Sequence, residues 1–264
     1  MESKKINVNG TTLAYQEQGS GNPVVLLHGF CGSSRYWEKV IPAISGQYRV
    51  IVPDLRGHGQ SDAPPGPYEM EAFASDIEAL LQELGIAKTV VLGHSLGGYI
   101  TLALAEKNPG LLAGWGLVHS TAHPDSEEGK ANRLKGIETI DTKGLPEFIE
   151  GLVPKLFAPA HLEPMAAAVE DVKAIGRETS PEGAKATLEG MRRRPDRNHV
   201  LENAQVPVLL AAGTEDKVIT PDKTFSVDRP SITKVTIDGS GHMSMYEAPD
   251  QLIVGLTSFL GRLY

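Results

Sequence analysis

Cys31 is the chain's single cysteine, so neither an internal disulfide nor a multi-cysteine metal site can form. Long apolar runs are missing too, and no stretch approaches the roughly 18 residues of a membrane-spanning helix. The first residues, Met1 to Val8, carry charges where a secretion signal would need an apolar stretch. These absences predict a soluble, cytoplasmic protein without membrane insertion; its acidic composition and lack of repeats suit a monomer and a homodimer alike. Positive charge is scarce as well: the formal net charge is −8, which leaves no basic surface for nucleic acid. The one basic cluster, Arg192, Arg193, Arg194 and Arg197, reads as the solvated end of a helix. Repeats and low-complexity tracts are also wanting.

What is present suits one generous domain, or a core with an insertion: 264 residues, 41% hydrophobic and 22% charged. Lys5–Val8 and Thr12–Glu17 flank Asn9-Gly10 and read as a β-hairpin. Six further apolar runs follow without polar alternation: Val24–Leu27, Val50–Val52, Thr89–Leu92, Trp115–Val118, Val208–Ala212 and Lys234–Ile237. Uninterrupted runs imply strands buried on both faces, and so a mostly parallel sheet covered by helices. Helical spacing predicts helices over Glu71–Leu84, with Gly85 as its stop, Leu96–Lys107 and Pro249–Leu260. Alternating strands and helices define an α/β class with a doubly wound sheet.

One stretch breaks the alternation. Residues 122–203 hold no good strand, only helix-like segments at Glu127–Ile140, Leu145–Leu156, Pro164–Gly176 and Pro181–Met191. A segment this long is not a simple loop. It is expected to form a helical cap over a core made of 1–121 and 204–264, covering the strand ends where open α/β sheets bind ligands.

The chemistry centres on Gly93-His94-Ser95-Leu96-Gly97-Gly98, between a predicted strand and a predicted helix. Glycines around Ser95 permit a very tight strand-to-helix turn that exposes its hydroxyl. By itself the pattern is common in a glycine-rich chain, and its context carries the reading. A serine hydroxyl needs a base. His242, in Gly239-Ser240-Gly241-His242 after the last strand, stands at the same sheet edge. His28, His58, His94, His119 and His123 also fall near strand ends. A carboxylate should orient the imidazole; Asp216 in Gly213-Thr214-Glu215-Asp216 is favoured over Glu215 and Asp125. The order Ser, Asp, His suits a serine hydrolase. His28-Gly29-Phe30-Cys31-Gly32 follows the third strand, so that the backbone N–H groups of Phe30 and Leu96 would face a developing oxyanion. Cys31 is expected to line the pocket.

Taken together, His28-Gly29-Phe30, Asp54-Leu55-Arg56-Gly57-His58-Gly59-Gln60-Ser61-Asp62, Gly93-His94-Ser95-Leu96-Gly97-Gly98 and Gly239-Ser240-Gly241-His242 resemble the α/β-hydrolase superfamily across essentially the whole chain. The resemblance implies an eight-stranded, mostly parallel sheet with helices on both faces and a helical cap after strand six. It implies Ser95, Asp216 and His242 as the triad and Phe30 and Leu96 as oxyanion donors, with no metal or organic cofactor. It also implies that the Asp54–Asp62 stretch is structural. Carboxylesterase, lactonase, C–C hydrolase and perhydrolase activities share this machinery, and a low-turnover ligand sensor could keep it. The expected partner is a small-molecule ester-type substrate. For a carboxylate-bearing substrate, Arg133, Lys135, Lys155 and Arg177 are the cap cations to consider.

Overall fold

Residues 3–264 are described by a computed structural model; Met1 and Glu2, at the head of the segment read as unlike a secretion signal, lie outside the described residues. The strands are β1 (Lys4–Val8), β2 (Thr11–Gln18), β3 (Asn22–Leu27), β4 (Tyr48–Pro53), β5 (Thr89–His94), β6 (Leu112–Val118), β7 (Val208–Gly213) and β8 (Ile232–Ile237). They form one eight-stranded sheet in the order β1-β2-β4-β3-β5-β6-β7-β8. β1 pairs with β2 and β2 with β4 in antiparallel fashion, and the remaining pairs are parallel. Asn9 and Gly10 both adopt positive φ, as a two-residue hairpin turn matching strand twist requires.

The unalternating runs are explained by burial: every residue of β5 and β7 is buried, as are Val24 to Leu27 of β3. Helix Met70–Glu83 turns Met70, Phe73, Ala74, Ile77, Leu80 and Leu81 into the core. Helix Leu96–Lys107 is buried over ten of its twelve residues, packed against β5, β6 and helix Met70–Glu83 and touching Asn198–Glu202. The closing helix Pro249–Leu260 starts at a proline whose missing N–H costs nothing at a first turn. Glu247 belongs to a separate single turn, Ser244–Glu247, that precedes this helix.

Between β6 and β7 lie helices Glu127–Lys143, Leu145–Leu152, Ala166–Arg177, Pro181–Arg193 and Asn198–Glu202. The second is shorter than its apolar spacing predicts. Pro154 has no N–H to continue the ladder, and Val153–Leu156 tightens into a 3-10 turn. Glycines dock this segment on the sheet side. A Cβ at Gly190 would stand 1.8 Å from the Tyr68 carbonyl oxygen, and one at Gly183 would be 2.7 Å from the Gly57 Cα. Gly190→Ala should therefore destabilise the protein by about 3 kcal/mol through overpacking against backbone. Urea denaturation checks this as a lower midpoint at unchanged slope; an unaltered midpoint would mean the docking yields freely.

The basic cluster is a solvent-facing helix end only at Arg192 and Arg193. Arg192 and Arg193 pair with Glu189 on their own helix, but Arg194 and Arg197 are buried. Arg194 bonds Asp125 (2.7 Å), and Arg197 joins Glu71 and Glu106 across the insert boundary. Charges desolvated to this degree need such partners. Among the described residues no helix is long and apolar enough to cross a membrane.

Candidate active site

Ser95 sits between β5 and helix Leu96–Lys107 with φ 50° and ψ −112°, in the left-handed half of the map that a β-carbon disfavours. Its neighbours leave no room for anything but glycine. A Cβ at Gly93 would come within 2.1 Å of the Gly97 carbonyl oxygen, and one at Gly98 within 2.3 Å of Ser120 Oγ. The strained turn is pinned from both sides: Ser95 N–H donates to the Val118 carbonyl (3.0 Å), and Ser120 Oγ donates to the Ser95 carbonyl (2.7 Å). Cys31 and His119, also just beyond strand ends, share positive φ. Strain of this kind persists where surrounding structure over-determines it, commonly at functional sites.

His242 lies in the loop after β8. Its Nδ1 donates to Asp216 Oδ2 at 2.8 Å, which leaves Nε2 without a hydrogen bond among the described residues. The loop is fixed by the insert: His242 N–H donates to the Leu156 carbonyl (2.7 Å), and Glu247 accepts from the N–H groups of Met243 and Ala158 and from His161. His94, next to Ser95, completes the connection. Its Nε2–H donates to the His242 carbonyl (2.9 Å), tying the end of β5 to the His242 loop.

Asp216 holds four hydrogen bonds. Oδ1 accepts from the N–H groups of Val218 (2.8 Å) and Ile219 (2.9 Å); Oδ2 accepts from His242 Nδ1 and from His119 Nδ1 (3.0 Å). Burial raises the carboxyl's pKa, yet the two imidazoles outweigh it and hold the group well below the usual carboxylate range. An ionised carboxylate only accepts, so both Nδ1 atoms must carry the proton. His119 is fully buried, and burial lowers its pKa more than its bond to Asp216 raises it. It is therefore neutral, with Nε2 accepting from Ser244 Oγ (2.8 Å). Ligand atoms of His119, Asp216 and His242 lie within 4.8 Å of one another, a spacing a metal could bridge. The contacts of 2.8 and 3.0 Å are hydrogen bonds, however, and Oδ1 is filled by backbone donors, so the set fits protons better than an ion.

Sequence reasoning weighed His119 only as one histidine among several near strand ends. Its only local sign is its place directly after β6. Glu215, the rival to Asp216, is exposed near Lys217, and Asp125 is held by Arg133 (3.1 Å) and Arg194.

The N–H groups of Phe30 and Leu96 donate to no protein acceptor among the described residues. His28 and His58 lie beneath this loop, and burial lowers their pKa to about 4 and about 3. The Asp54 carboxylate caps Ser34 N–H and Gln60 N–H, while Arg56 grips Asp76 with two bonds of 2.6 and 2.7 Å. This stretch is the hydrogen-bonded scaffold the sequence suggested. Cys31 is a different matter. It is buried in the core and absent from the cavity wall, with a thiol that burial pushes up in pKa, so it does not line the pocket as expected.

A cavity of about 880 Å³ opens between the insert and the sheet. It meets the site at Phe30, Tyr99 and Ile219, whereas Ser95 and His242 themselves are not part of its wall. Of the cap cations considered from sequence, Arg133, Lys135 and Lys155 line it; Arg177 is turned to Glu150 instead.

The chain matches the family described as the alpha/beta hydrolase fold over residues 22–137. It is similar along its whole length to a thermophilic esterase from Thermogutta terrifontis: 32% identity, 100% of this chain, 99% of that one, TM-score 0.94. The enol-lactonase from Burkholderia xenovorans is 26% identical, covering 98% and 100%, with TM-score 0.89. A 2-(acetamidomethylene)succinate hydrolase from Mesorhizobium japonicum is 26% identical over 98% of this chain and 95% of its own. The chain belongs to the α/β-hydrolase family. It is a hydrolase of that fold.

Proposed function

We propose that the chain is a serine hydrolase cleaving carboxylic esters, of small to medium acyl or aryl groups, through an acyl-enzyme. Ser95 is the nucleophile, His242 the base and then the acid, Asp216 the orienting carboxylate, and Phe30 and Leu96 the oxyanion donors. The observation that carries this is the His242–Asp216 pair at 2.8 Å, on a loop tied through His94 to the strand end that bears Ser95. His242 takes the Ser95 proton as the oxygen attacks the ester carbonyl, and the oxyanion rests on the two backbone N–H groups. The alcohol leaves with the proton from His242. Water then attacks the acyl-enzyme, with the same imidazole as base. These steps need no metal or organic cofactor. Residues 122–203 act as the cap over a core of 1–121 and 204–264, closing the cavity and buttressing the His242 loop.

A fluorophosphonate probe tests the reading. One adduct on Ser95, found by intact mass and peptide mapping and abolished in His242→Ala, is the expected result. Esterase turnover that persists without any adduct on Ser95 would sink it.

His119 adds a second donor to the acid's working oxygen. His119→Ala should lower kcat on p-nitrophenyl butyrate by about tenfold, the effect of losing one hydrogen bond to a buried charge, with KM little changed. His119→Asn, whose amide can replace the Nδ1–H, should recover most of the rate. Equal losses in both variants would mean His119 matters for packing alone.

A further inference from the structure

The cavity's charge is unlike that of the chain. Six cations line it against two carboxylates, Asp125 and Glu147, a surplus of four positive charges in a protein whose formal net charge is −8. At one side Arg133 and Arg194 share the single carboxylate of Asp125, and the Arg194 guanidinium stacks 4.0 Å from the Tyr99 ring, one turn along the helix that Ser95 precedes. The other four cations are Lys135, Lys143, Lys155 and Lys223, exposed at the cavity.

These lysines stand apart from the rest. Seven of the fourteen lysines form ion pairs. Among the described residues the other seven have none, and four of those seven line this one cavity. A solvated surface would scatter unpaired cations among its many acids. Like charges gathered around a concave, low-dielectric wall focus the field and concentrate anions. The wall that meets the site at Phe30 is also the wall that carries Tyr99, so one small molecule can reach both ends.

We propose that the substrate carries a free carboxylate, which the cationic wall formed by Arg133, Arg194 and the four lysines binds while its ester group sits at Ser95. This rests on the esterase reading of the site. The substrate class is then a half-ester of a dicarboxylic acid or a lactone acid, not a neutral fatty ester. Recognition is electrostatic more than shape-specific, because the lysines are mobile, exposed point charges.

The matched pair ethyl hydrogen adipate and diethyl adipate separates the possibilities, with ethanol release as readout. The anionic half-ester should have a kcat/KM about tenfold above that of the neutral diester at low salt, and the advantage should shrink as salt screens the wall. Lys143→Glu/Lys155→Glu should cut the ratio of the two kcat/KM values by about tenfold, through KM of the half-ester. A ratio at or below one in the wild type, or a ratio unmoved by charge reversal, overturns the inference while leaving the esterase reading intact. If neither ester turns over, the fluorophosphonate adduct on Ser95 decides the esterase reading, and binding decides this inference. Adipate should then still raise the melting temperature of the wild type at millimolar concentration, and the double variant should lose that rise. Adipate that stabilises neither protein, or both equally, refutes the anionic subsite.

Discussion

Ser95→Ala is expected to lower kcat on p-nitrophenyl acetate and butyrate by roughly 10⁵-fold, leaving only the catalysis that binding and the oxyanion donors provide. The expectation follows from what the hydroxyl alone supplies. Its neighbours fix the backbone through Val118 and Ser120 without using Oγ, so alanine loses the attacking atom and little else. Alanine keeps the β-carbon, hence the φ of 50° and its strain, and stability should stay within about 0.5 kcal/mol of the wild type. Loss of activity with an intact urea transition therefore isolates chemistry from folding. The pair acts as a unit, so Ser95→Ala/His242→Ala should be no slower than either single variant. Activity retained in Ser95→Ala would require another nucleophile. Cys31 is a poor rival, since burial keeps its thiol protonated and away from the cavity.

The docking of residues 122–203 and the site's attachment to them are coupled in the same structure. The His242 loop donates to the Leu156 carbonyl and, through Glu247, is held by Ala158 and His161, three residues that all lie within 122–203. A Cβ at Gly241 would stand 2.4 Å from the Ala158 nitrogen, so the contact is backbone against backbone. The insert thus does more than wall a cavity: it fixes the height of the imidazole over the sheet edge.

How far the sequence foretold this depends on the range over which each signal acts. The inner strands were legible because burial on both faces writes itself as continuous apolar runs, and β1 and β2 because Asn9-Gly10 between them has few other uses; β8, at the sheet edge and half-exposed, was found at Lys234–Ile237, two residues short of its start. Helices Leu96–Lys107 and Pro249–Leu260 were legible to the residue, since Ser95 with its glycines and Pro249 mark their starts. Single turns such as Ser34–Trp37 and Ser244–Glu247 are too short to show any period. Long-range pairing was the other blind spot. Arg194 and Arg197 looked like solvent-facing charges because Asp125, Glu71 and Glu106 lie 69 to 126 residues away. His119 meets Asp216 across 97 residues, with no local motif to announce it. Local rules locate turns that carry functional groups; only packing reveals which groups share an oxygen.

That shared oxygen makes Asp216→Asn a sharp test, with an expected fall in kcat of about 10⁴-fold in a folded protein. An asparagine at 216 must turn its amide either toward Val218 and Ile219 or toward the two histidines. The backbone N–H groups are obligate donors, so the amide oxygen stays on them and the NH₂ faces His242 and His119. Each imidazole must then accept at Nδ1. For His119 the change is tolerable, because its Nε2–H can donate to Ser244 Oγ, which can accept. For His242 it moves the proton to Nε2, the nitrogen proposed to take the Ser95 proton, and the base is lost. KM should change little, since no substrate contact is altered. Asp216→Ala frees both histidines to choose their tautomers, so it should be less damaging to kcat than Asn relative to its larger cost in stability. If Asn at 216 kept the wild-type rate, the 2.8 Å contact would have no part in setting the proton on His242, and the assignment of that pair to catalysis would fall with it.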